Sequence, residues 1–456
     1  MLSERLLVIG GGLAGCEAAW QAARCGVDVD LYEMRPNASG PAHKTANLAE
    51  LVCSNSLRGA ALENAVGLLK EELARLDSLI VKTARENAVP AGGALAVDRE
   101  LFAAAVESRI ACEPRITLHR EEVHEIPLDA PVIVACGPLP SDALLSSIDA
   151  VLRQAQHDNT GRLHYFDAAS PIVASDSIDE SKMYRKSRYE KGDGDDYVNI
   201  PLDREQYAQL LRDLRTLPRH EAKEFDGTRY FEGCLPIEEM ADRGDDVLRY
   251  GPMKPVGLRD PRTGETPYAV VQLRKENREG TAFNLVGFQT RLTWPAQRET
   301  FAKLPGLERA EWLRLGVMHR NTFIDSPRLL EPTLRLRGTD ALYFAGQITG
   351  AEGYVEAAAC GMMAGIHAAR AILGLEPVDV PPETALGAVV AHLQNRESPD
   401  FQPSNVTWAP FPALAGAHAK LGKREKRALM AERSLAALEH FGELLRAEPR
   451  ALIAQR

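Results

Sequence analysis

The sequence contains no long hydrophobic run, and this absence narrows the class of protein. The chain has 456 residues, enough for two or three domains, yet no apolar stretch approaches the ~20 residues that a membrane-spanning helix needs. The first residues lead directly into a strand-like apolar run and show no signal-peptide pattern. We therefore expect a cytoplasmic protein without membrane segments.

The chain also has no C-x-x-C pair among its seven cysteines. An odd number of cysteines at irregular spacing is not a disulfide framework, and it is typical of reduced thiols inside the cell. The same pattern makes a zinc site or a dithiol redox centre a poor interpretation. We expect free thiols and no metal.

Positive charge is scarce: 54 Lys and Arg residues stand against 64 Asp and Glu residues, a formal net charge of −10. By itself this balance argues against a nucleic-acid partner, but the distribution of charge matters more than its sum. There are no internal repeats and no low-complexity tract.

Two local basic clusters interrupt this acidic chain. Tyrosine interleaved with Arg and Lys suits stacking on unpaired bases and holding phosphates. The first cluster comprises Lys182, Tyr184, Arg185, Lys186, Arg188, Tyr189 and Lys191, and the second comprises Lys420, Lys423, Arg424, Lys426 and Arg427. A single cluster is more often a solvated face. Two of them favour RNA as a partner, with Arg185, Lys186 and Arg188 as the RNA-binding residues.

A dinucleotide-binding pattern opens the chain. A buried-strand run, residues 6–9, leads into the sequence Gly-Gly-Gly-Leu-Ala-Gly at 10–15, then a helix-like segment and a second strand that ends near Glu33. Glycines let the backbone approach a pyrophosphate, the helix N-terminus offers free N–H groups, and an acid at this spacing can hold a ribose hydroxyl. The pattern predicts that Gly10, Gly12, Gly15 and Glu33 bind a dinucleotide.

A late segment distinguishes FAD from NAD. A strand at 341–345 is followed by Gly346-Gln347 and then by Gly353-Tyr354, which begin a helix of small residues. This arrangement resembles two-part flavoproteins of the glutathione-reductase type, which return to the first fold with a strand–Gly–acid motif. Gln347 stands where that acid is usual. An ordinary βα unit packed through glycine is the alternative, and we favour FAD.

The predicted fold class is α/β, a Rossmann-like FAD-binding fold of the glutathione-reductase type with an inserted α+β domain. The expected division is residues 1–169 and 337–456 for a discontinuous FAD-binding domain and 170–336 for an inserted substrate domain, where the βαβ rhythm fades. Periodicity predicts helices over 62–80, 97–110 and 424–446 and a strand over 116–126.

Cys53 and Cys234 have contexts unlike those of the other cysteines. Cys53 precedes cap-type residues and is predicted to lie just before a helix, where a thiol ionises more readily. Cys234 lies in a turn-like Gly/Pro setting with glutamates nearby. Either residue taken alone is more often structural than catalytic, and the remaining five are expected to be small core residues.

Long stretches resemble the folate- and FAD-dependent tRNA (uracil-5-) methyltransferases, the TrmFO family, over nearly the whole chain. They are residues 48–58 around Cys53, 230–236 around Cys234, 249–258, 284–290, 316–323, 346–350 and 352–356. The departures are Cys136 in place of threonine, Ile200 in place of cysteine, and Ser404 and residues 407–409 in place of Met and Asn-Phe-Gly. The departures at Ser404 and residues 407–409 affect the substrate contacts that are expected near 401–411.

The resemblance implies transfer of a methylene group from 5,10-methylenetetrahydrofolate to C5 of a uridine in the tRNA T loop, with FAD and NADH or NADPH supplying electrons. A thiolate that adds at uracil C6 activates C5, and cysteine suits this role because it attacks well and leaves again. We assign Cys234 as the C6 nucleophile and Cys53 as the second thiol; the reverse assignment stays open. Tyr354 is expected to stack on the isoalloxazine ring and His319 on the folate pterin ring.

Three alternatives stand beside this interpretation. The same chemistry could act on a uridine of ribosomal RNA. A related wobble-uridine modification flavoprotein resembles the N-terminal part, but those proteins are longer and lack this pair of cysteine motifs. A non-catalytic flavin-binding RNA-interaction protein would not need both cysteine motifs.

Overall fold

The structure is a computed structural model that describes residues 4–155, 162–220, 235–397 and 401–453. Within these ranges, no helix is both long and apolar enough to cross a membrane. The strands are β1 (Arg5–Ile9), β2 (Asp28–Tyr32), β3 (Ser56–Gly59), β4 (Ala88–Val89), β5 (Ala94–Val97), β6 (Ile116–His119), β7 (Val132–Val134), β8 (Arg162–Ala168), β9 (Ile172–Ala174), β10 (Tyr184–Arg185), β11 (Tyr197–Leu202), β12 (Ala269–Lys275), β13 (Ala282–Leu285), β14 (Trp312–Arg314), β15 (Met318–Ile324) and β16 (Leu342–Phe344).

The helices alternate with the strands in the N-terminal third and dominate the C-terminal part. They are α1 (Leu13–Arg24), α2 (Ala65–Arg75), α3 (Leu79–Glu86), α4 (Arg99–Cys112), α5 (Asp142–Ala155), α6 (Arg204–Thr216), α7 (Ile237–Asp242), α8 (Val247–Tyr250), α9 (Trp294–Phe301), α10 (Ser326–Leu329), α11 (Tyr354–Ile372), α12 (Ala385–Leu393) and α13 (Lys423–Ile453).

A five-stranded sheet forms the first domain, in the order β16-β7-β1-β2-β6. Each neighbouring pair is parallel. Parallel strands are buried on both faces, which explains why β7 is a continuous apolar run with every residue buried. The late strand β16 joins this sheet beside β7, so the chain returns to its first fold and the predicted α/β class is confirmed.

Helices α1 and α11 cross in backbone contact through two glycines. A Cβ at Gly361 would lie 2.2 Å from the carbonyl oxygen of Ala14, and one at Gly365 would lie 2.4 Å from that of Ala18. Any larger residue would push the helices apart, because a packed core does not yield by such distances. The N-termini of both helices therefore lie close together at the carboxyl edge of the sheet.

The inserted domain is a six-stranded sheet in the order β10-β11-β12-β13-β9-β14. Its neighbouring strands are antiparallel. It has a hydrophobic core of its own, in which Leu210 and Leu214 of α6 and Phe301 of α9 pack against the sheet. This is the predicted α+β insertion.

The segments that connect the two sheets pack mainly with the core of the first domain. Strands β8 and β15 pair with each other as a separate two-stranded ribbon. Phe323, Ile324, Leu329 and Leu336 belong to the core of the first domain. The division at residue 336 stays a prediction, and by packing the segment after Phe323 lies with the nucleotide fold.

Several elements differ from the sequence prediction. The helix expected over 62–80 is two helices, α2 and α3, because Asp77 adopts a positive φ of 65° and Ser78 caps α3 by accepting a hydrogen bond from Val81 N. The strand expected over 116–126 is only the four residues of β6. Cys53 does not precede a helix; the chain continues into β3.

A buried carboxyl group joins three helices of the first domain. Glu72 of α2 accepts hydrogen bonds from Ala385 N and Leu386 N in the first turn of α12 and from Ser434 Oγ of α13. The first two of these bonds satisfy two of the free N–H groups that every helix N-terminus carries. Burial raises the pKa of Glu72 to about 7, although the three hydrogen bonds lower it.

This carboxyl group should make stability depend on pH. Its folded-state pKa lies above the value of about 4.3 expected in the unfolded chain. The folded protein therefore binds more protons than the unfolded chain between about pH 4.5 and 7, and the contribution of Glu72 to stability falls as the pH rises through that window.

Glu72→Gln should lower the free energy of unfolding by about 1–3 kcal/mol at about pH 5, because one amide oxygen replaces a group that receives three donors. The loss should shrink at about pH 8, where the parent protein keeps a buried carboxylate ionised and the amide does not. Denaturant unfolding at both pH values measures this.

The neighbouring substitution Glu71→Gln is the matched control. Glu71 pairs with Arg75 and Arg85 near the surface, and such pairs are worth less than about 1 kcal/mol. A loss in Glu72→Gln that grows with pH, or one no larger than that of the control, would contradict the assigned role.

Candidate functional site

A cavity of about 140 Å³ lies over the glycine-rich loop between β1 and α1. Gly10 has a φ of +111°, and a Cβ there would lie 2.5 Å from Ala135 O. A Cβ at Gly15 would lie 1.7 Å from Gly10 O, so this glycine permits the loop to fold onto the helix. At Gly12 a Cβ would meet no atom within 4 Å. Gly12 thus borders open space at the N-terminus of α1, where an anionic group is favoured.

Glu33 follows β2 at the rim of this cavity. It forms an ion pair with Arg35 at 2.8 Å and accepts a hydrogen bond from Gly11 N at 3.0 Å. Burial opposes its ionisation, but the hydrogen bonds and charge of Arg35 outweigh burial and lower the pKa of Glu33. Glu33 is therefore a carboxylate fixed against the glycine-rich loop, and a ribose hydroxyl would have to share its oxygens with these donors.

The late segment reaches the same cavity from the other side. Gln347 and Tyr354 line it together with the glycine-rich loop. Gly346 has a φ of +83°, and a Cβ there would lie 2.6 Å from the Cβ of Ala14. Gly353 has a φ of +109° and is the residue before α11. Of the predicted cofactor residues, five line this cavity and Gly15, Gly346 and Gly353 do not: the five are Gly10, Gly12, Glu33, Gln347 and Tyr354.

A second cavity, of about 260 Å³, meets the first. Residues that line both include Val52, Pro138, Gln347 and Tyr354. The second cavity is lined by residues of both domains: Cys53, Ser54, Ser56, Arg58, Gly353 and Asn405 from the first, and Arg274, Asn284, Val286, Gly287 and Gln289 from the insertion. The junction of the cavities is a position where a bound dinucleotide and a second ligand can meet.

Cys53 lies in this second cavity on a loop held by hydrogen bonds. Cys53 N donates to the Tyr354 hydroxyl at 2.8 Å, and Cys53 O accepts from Arg99 Nη2 at 3.0 Å. Arg314 donates to Val52 O at 2.6 Å. Arg99 also pairs with the buried Glu276 of the insertion. The two guanidinium groups bring positive charge to the thiol, the setting in which cysteines react.

Cys234, the other predicted thiol, lies outside the described residues. The chain is described again from Leu235, and Ile237 N donates to Gln289 O at 2.7 Å. Gln289 lines the second cavity. The two glutamates after Cys234 have partners of their own: Glu238 is buried against Thr290, and Glu239 pairs with Arg291.

The other cysteines behave as packing residues or lie at the surface. Cys16 and Cys360 are buried as expected, but Cys112 is exposed, so the expectation of a core residue is wrong at that position. Burial raises the pKa of Cys136 and of Cys360 to about 12, so both stay thiols at neutral pH. Among the described residues, no group of His, Cys, Asp and Glu has a metal-binding arrangement.

His319, the predicted folate contact, lies on β15, where its backbone pairs with Asp167. Two residues further along the same strand, Asn321 lines the second cavity. The predicted stacking role of His319 stays a prediction.

The first basic cluster is divided by its local contacts. Arg188 donates to Lys254 O and Val256 O at 2.7 Å each, and Tyr184 is buried with its hydroxyl on Leu258 O. Arg185 is exposed and pairs with Glu180. Arg188 therefore holds the insertion together, whereas Arg185 and its half-buried neighbour Lys186 remain suited to a ligand at the surface.

Sequence reasoning missed the charged and polar residues that form the second cavity. Arg58, which lines this cavity, pairs with buried Glu356, and Arg274, which also lines it, donates to Asn55 across the domain boundary. The available signal was weak: Arg58 and Asn55 lie within the segment around Cys53, but Arg274 and Glu356 lie far from it in the chain.

Comparisons with known proteins agree with this geometry. Residues 5–376 match the family model described as glucose inhibited division protein A. A protein of Geobacter sulfurreducens named methylenetetrahydrofolate–tRNA-(uracil-5-)-methyltransferase TrmFO is 57% identical over 96% of this chain and 99% of its own length. A protein of the same name from Pelobacter propionicus is 56% identical over 97% of this chain and 95% of its own.

The solved structure of Aquifex aeolicus GidA superposes with a TM-score of 0.68 at 17% identity, covering 99% of this chain and 76% of that one. This similarity supports the fold. The relatives' matches cover 96% and 97% of the chain at 57% and 56% identity, and the chain therefore belongs to the TrmFO family of methylenetetrahydrofolate–tRNA-(uracil-5-)-methyltransferases.

Proposed function

We propose that this protein transfers the methylene group of 5,10-methylenetetrahydrofolate to C5 of a tRNA T-loop uridine and reduces it to a methyl group. Uridine, methylenetetrahydrofolate and NAD(P)H with one proton give 5-methyluridine, tetrahydrofolate and NAD(P)⁺. The observation that carries the proposal is the position of Cys53, in a cavity that opens onto the dinucleotide cavity. The relatives' names specify tRNA, which favours it over ribosomal RNA. We place the reaction in the cytoplasm.

The residues around the first cavity suit the pyrophosphate and ribose of FAD. The space beside Gly12 is free of protein atoms, and the N-terminus of α1 points its N–H groups there. Gly10, Gly12 and Gly15 would hold the pyrophosphate, Glu33 would lie beside the ribose, and Gly346, Gln347, Gly353 and Tyr354 would lie toward the flavin ring. Bound there, FAD supplies the electrons that NADH or NADPH delivers.

The protein residues carry the thiol chemistry. In the proposed assignment, the thiolate of Cys234 forms a bond to uracil C6, the C5–C6 π pair moves toward O4, and C5 becomes nucleophilic. C5 then bonds to the methylene carbon that the folate supplies. As Cys53 removes the C5 proton, the bond from this carbon to its carrier nitrogen breaks; delivery of a hydride to the carbon, with departure of the thiolate from C6, gives the methyl group and restores the ring. Arg99 and Arg314 fix the Cys53 loop by binding its carbonyl groups. Support for Cys234 comes from Ile237, three residues on, whose N–H contacts a cavity-lining residue.

Access to a uridine in a folded loop requires that the base be extruded from its stack. The second cavity lies between the two domains, and the surface around Arg185 and Lys186 belongs to the insertion. We infer that tRNA binds across this domain while one base enters the cavity.

Gly12→Val should abolish flavin binding while leaving the apo-protein stable. A Cβ at this position meets no protein atom within 4 Å, and the valine side chain would extend into the space proposed for the pyrophosphate. Flavin content should fall at least about tenfold, which needs only 1.4 kcal/mol of lost binding energy. Absorbance of the purified protein and thermal unfolding of the apo-protein measure the two effects.

Gly15→Ala provides the contrast, since its Cβ would lie 1.7 Å from Gly10 O. This substitution should destabilise the apo-protein itself, by about 1–3 kcal/mol. A yellow Gly12→Val protein with undiminished flavin would refute the placement of the cofactor.

The two thiols should separate in an adduct assay. Cys234→Ala should abolish both methylation and the covalent adduct with RNA that contains 5-fluorouridine, because no sulfur remains to attack C6. Cys53→Ala should abolish methylation but still form the adduct. Denaturing gel electrophoresis measures the adduct, and mapping of 5-methyluridine in unmodified tRNA, incubated with the folate and a reductant, measures methylation.

Cys112→Ala, at an exposed position of α4, should match the parent protein in both assays. An adduct that survives in Cys234→Ala and vanishes in Cys53→Ala would reverse the assignment. Persistence of the adduct in both variants would remove thiol addition by either of these two residues from the mechanism.

Charge reversal of Arg185 and Lys186 together should weaken tRNA binding. The log–log slope of affinity against salt should become shallower by about 0.7–0.9 for each phosphate that the variant no longer neutralises. Reduction of the flavin by NAD(P)H should not change. Arg188 is left intact, because its guanidinium group binds backbone carbonyls of the insertion.

Arg85→Glu is the control, since Arg85 is also a surface arginine paired with a glutamate, on α3 of the first domain. Equal tRNA affinity in the double variant and this control would show that the first basic cluster is only a solvated face.

A further inference from the structure

Two asparagines line the second cavity with buried amide atoms that have no partner. Asn284 is 2% exposed and Asn321 is 1% exposed. In the described part of the chain, neither Asn284 Oδ1 nor Asn321 Nδ2 makes a hydrogen bond. Leaving such a buried atom unsatisfied costs about 1–3 kcal/mol, and buried polar groups nearly always have a partner. An acceptor and a donor left unpaired in one cavity indicate a ligand that supplies both.

Both asparagines lie on strands, so their positions are fixed. Asn284 on β13 pairs with Arg274 on β12, and Arg274 is itself tied to Asn55 by a hydrogen bond of 2.9 Å. Asn321 lies on β15, where the next residue, Thr322, donates its N–H to Pro138 O at 2.8 Å. Pro138 lines both cavities. Sites built on strands hold a ligand more rigidly than loops do.

We propose that Asn284 and Asn321 together bind the lactam edge of a planar heterocycle, in which a ring N–H adjoins a ring C=O. Asn284 Oδ1 accepts from the ring N–H, and Asn321 Nδ2 donates to the ring C=O. Uracil and the pterin ring of the folate both present this edge. The inference rests on the proposed function and assigns it two specificity residues.

The size and walls of the cavity agree with such a ring. Its volume is about 260 Å³, and an apolar protein cavity of about 150 Å³ already admits benzene. Cys53 lines the same cavity, so a ring held by the asparagines shares this cavity with the thiol. Cytosine would be rejected, because its exocyclic amino group presents N–H to the Asn321 donor; sites that require a hydrogen bond discriminate strongly.

The test uses Asn284→Leu and Asn321→Leu in the full-length flavoprotein, with Asn284→Ala and Asn321→Ala as smaller replacements in case leucine impairs folding. Asn395→Leu is the matched control, at an exposed position after α12. Three quantities are measured for each: flavin content, the Kd for tetrahydrofolate, and single-turnover formation of 5-methyluridine at saturating folate.

We expect that either the affinity for tetrahydrofolate or the single-turnover rate falls about tenfold or more, while the flavin content stays normal. A raised Kd for tetrahydrofolate, with the saturated rate unchanged, identifies the pterin ring. An unchanged Kd with a slower single turnover and less adduct with 5-fluorouridine RNA identifies uracil.

Loss of flavin would overturn the proposal, since the asparagines would then serve the cofactor. Changes below twofold in all three quantities for both residues would also overturn it. If the parent protein and Asn395→Leu form no 5-methyluridine, the proposed function itself fails, and that outcome is distinct from variants that equal an active parent.

Discussion

The backbone contact between α1 and α11 is the constraint on which the site depends. Gly361 and Gly365 let the second helix lie against the carbonyl oxygens of the first. Gly346 also approaches Ala14 of α1 closely, and Gly15 lets the glycine-rich loop fold onto the same helix. Because both N-termini reach the same edge of the parallel sheet, the glycine-rich loop and Tyr354 border one cavity. Ligands of open parallel sheets bind at this edge.

A second set of contacts joins the two domains where the chemistry is proposed. The side chain of Asn55 accepts a hydrogen bond from Arg274 Nε and donates one to Lys275 O. Arg99 forms an ion pair with Glu276. Arg99 also binds the carbonyl oxygen of Cys53. The loop that carries the thiol is thus fixed from the insertion as well as from its own domain. Such preorganisation holds the Cys53 thiol in place without further ordering when substrate arrives.

Charge is used locally in this acidic protein. Many of its arginines are satisfied inside the fold, as Arg35 is by Glu33 and Glu50 and Arg188 is by backbone carbonyls. Counting basic residues therefore overstates the surface available to RNA. A charged group loses its hydration when it is buried and must be paired within the protein to compensate. An arginine paired in this way is no longer available to bind phosphate.

The sequence by itself determined the nucleotide fold and its glycine-rich loop, because a strand, glycine loop and helix are contiguous in the chain and local geometry dictates their spacing. The resemblance of long motifs also marked Cys53. Only the tertiary structure decided that Cys53 precedes a strand, that α2 and α3 are separate, and that Arg274, Asn284 and Asn321 line its cavity. These residues come from strands distant in sequence, and their meeting depends on sheet pairing and domain contact, which no local pattern encodes.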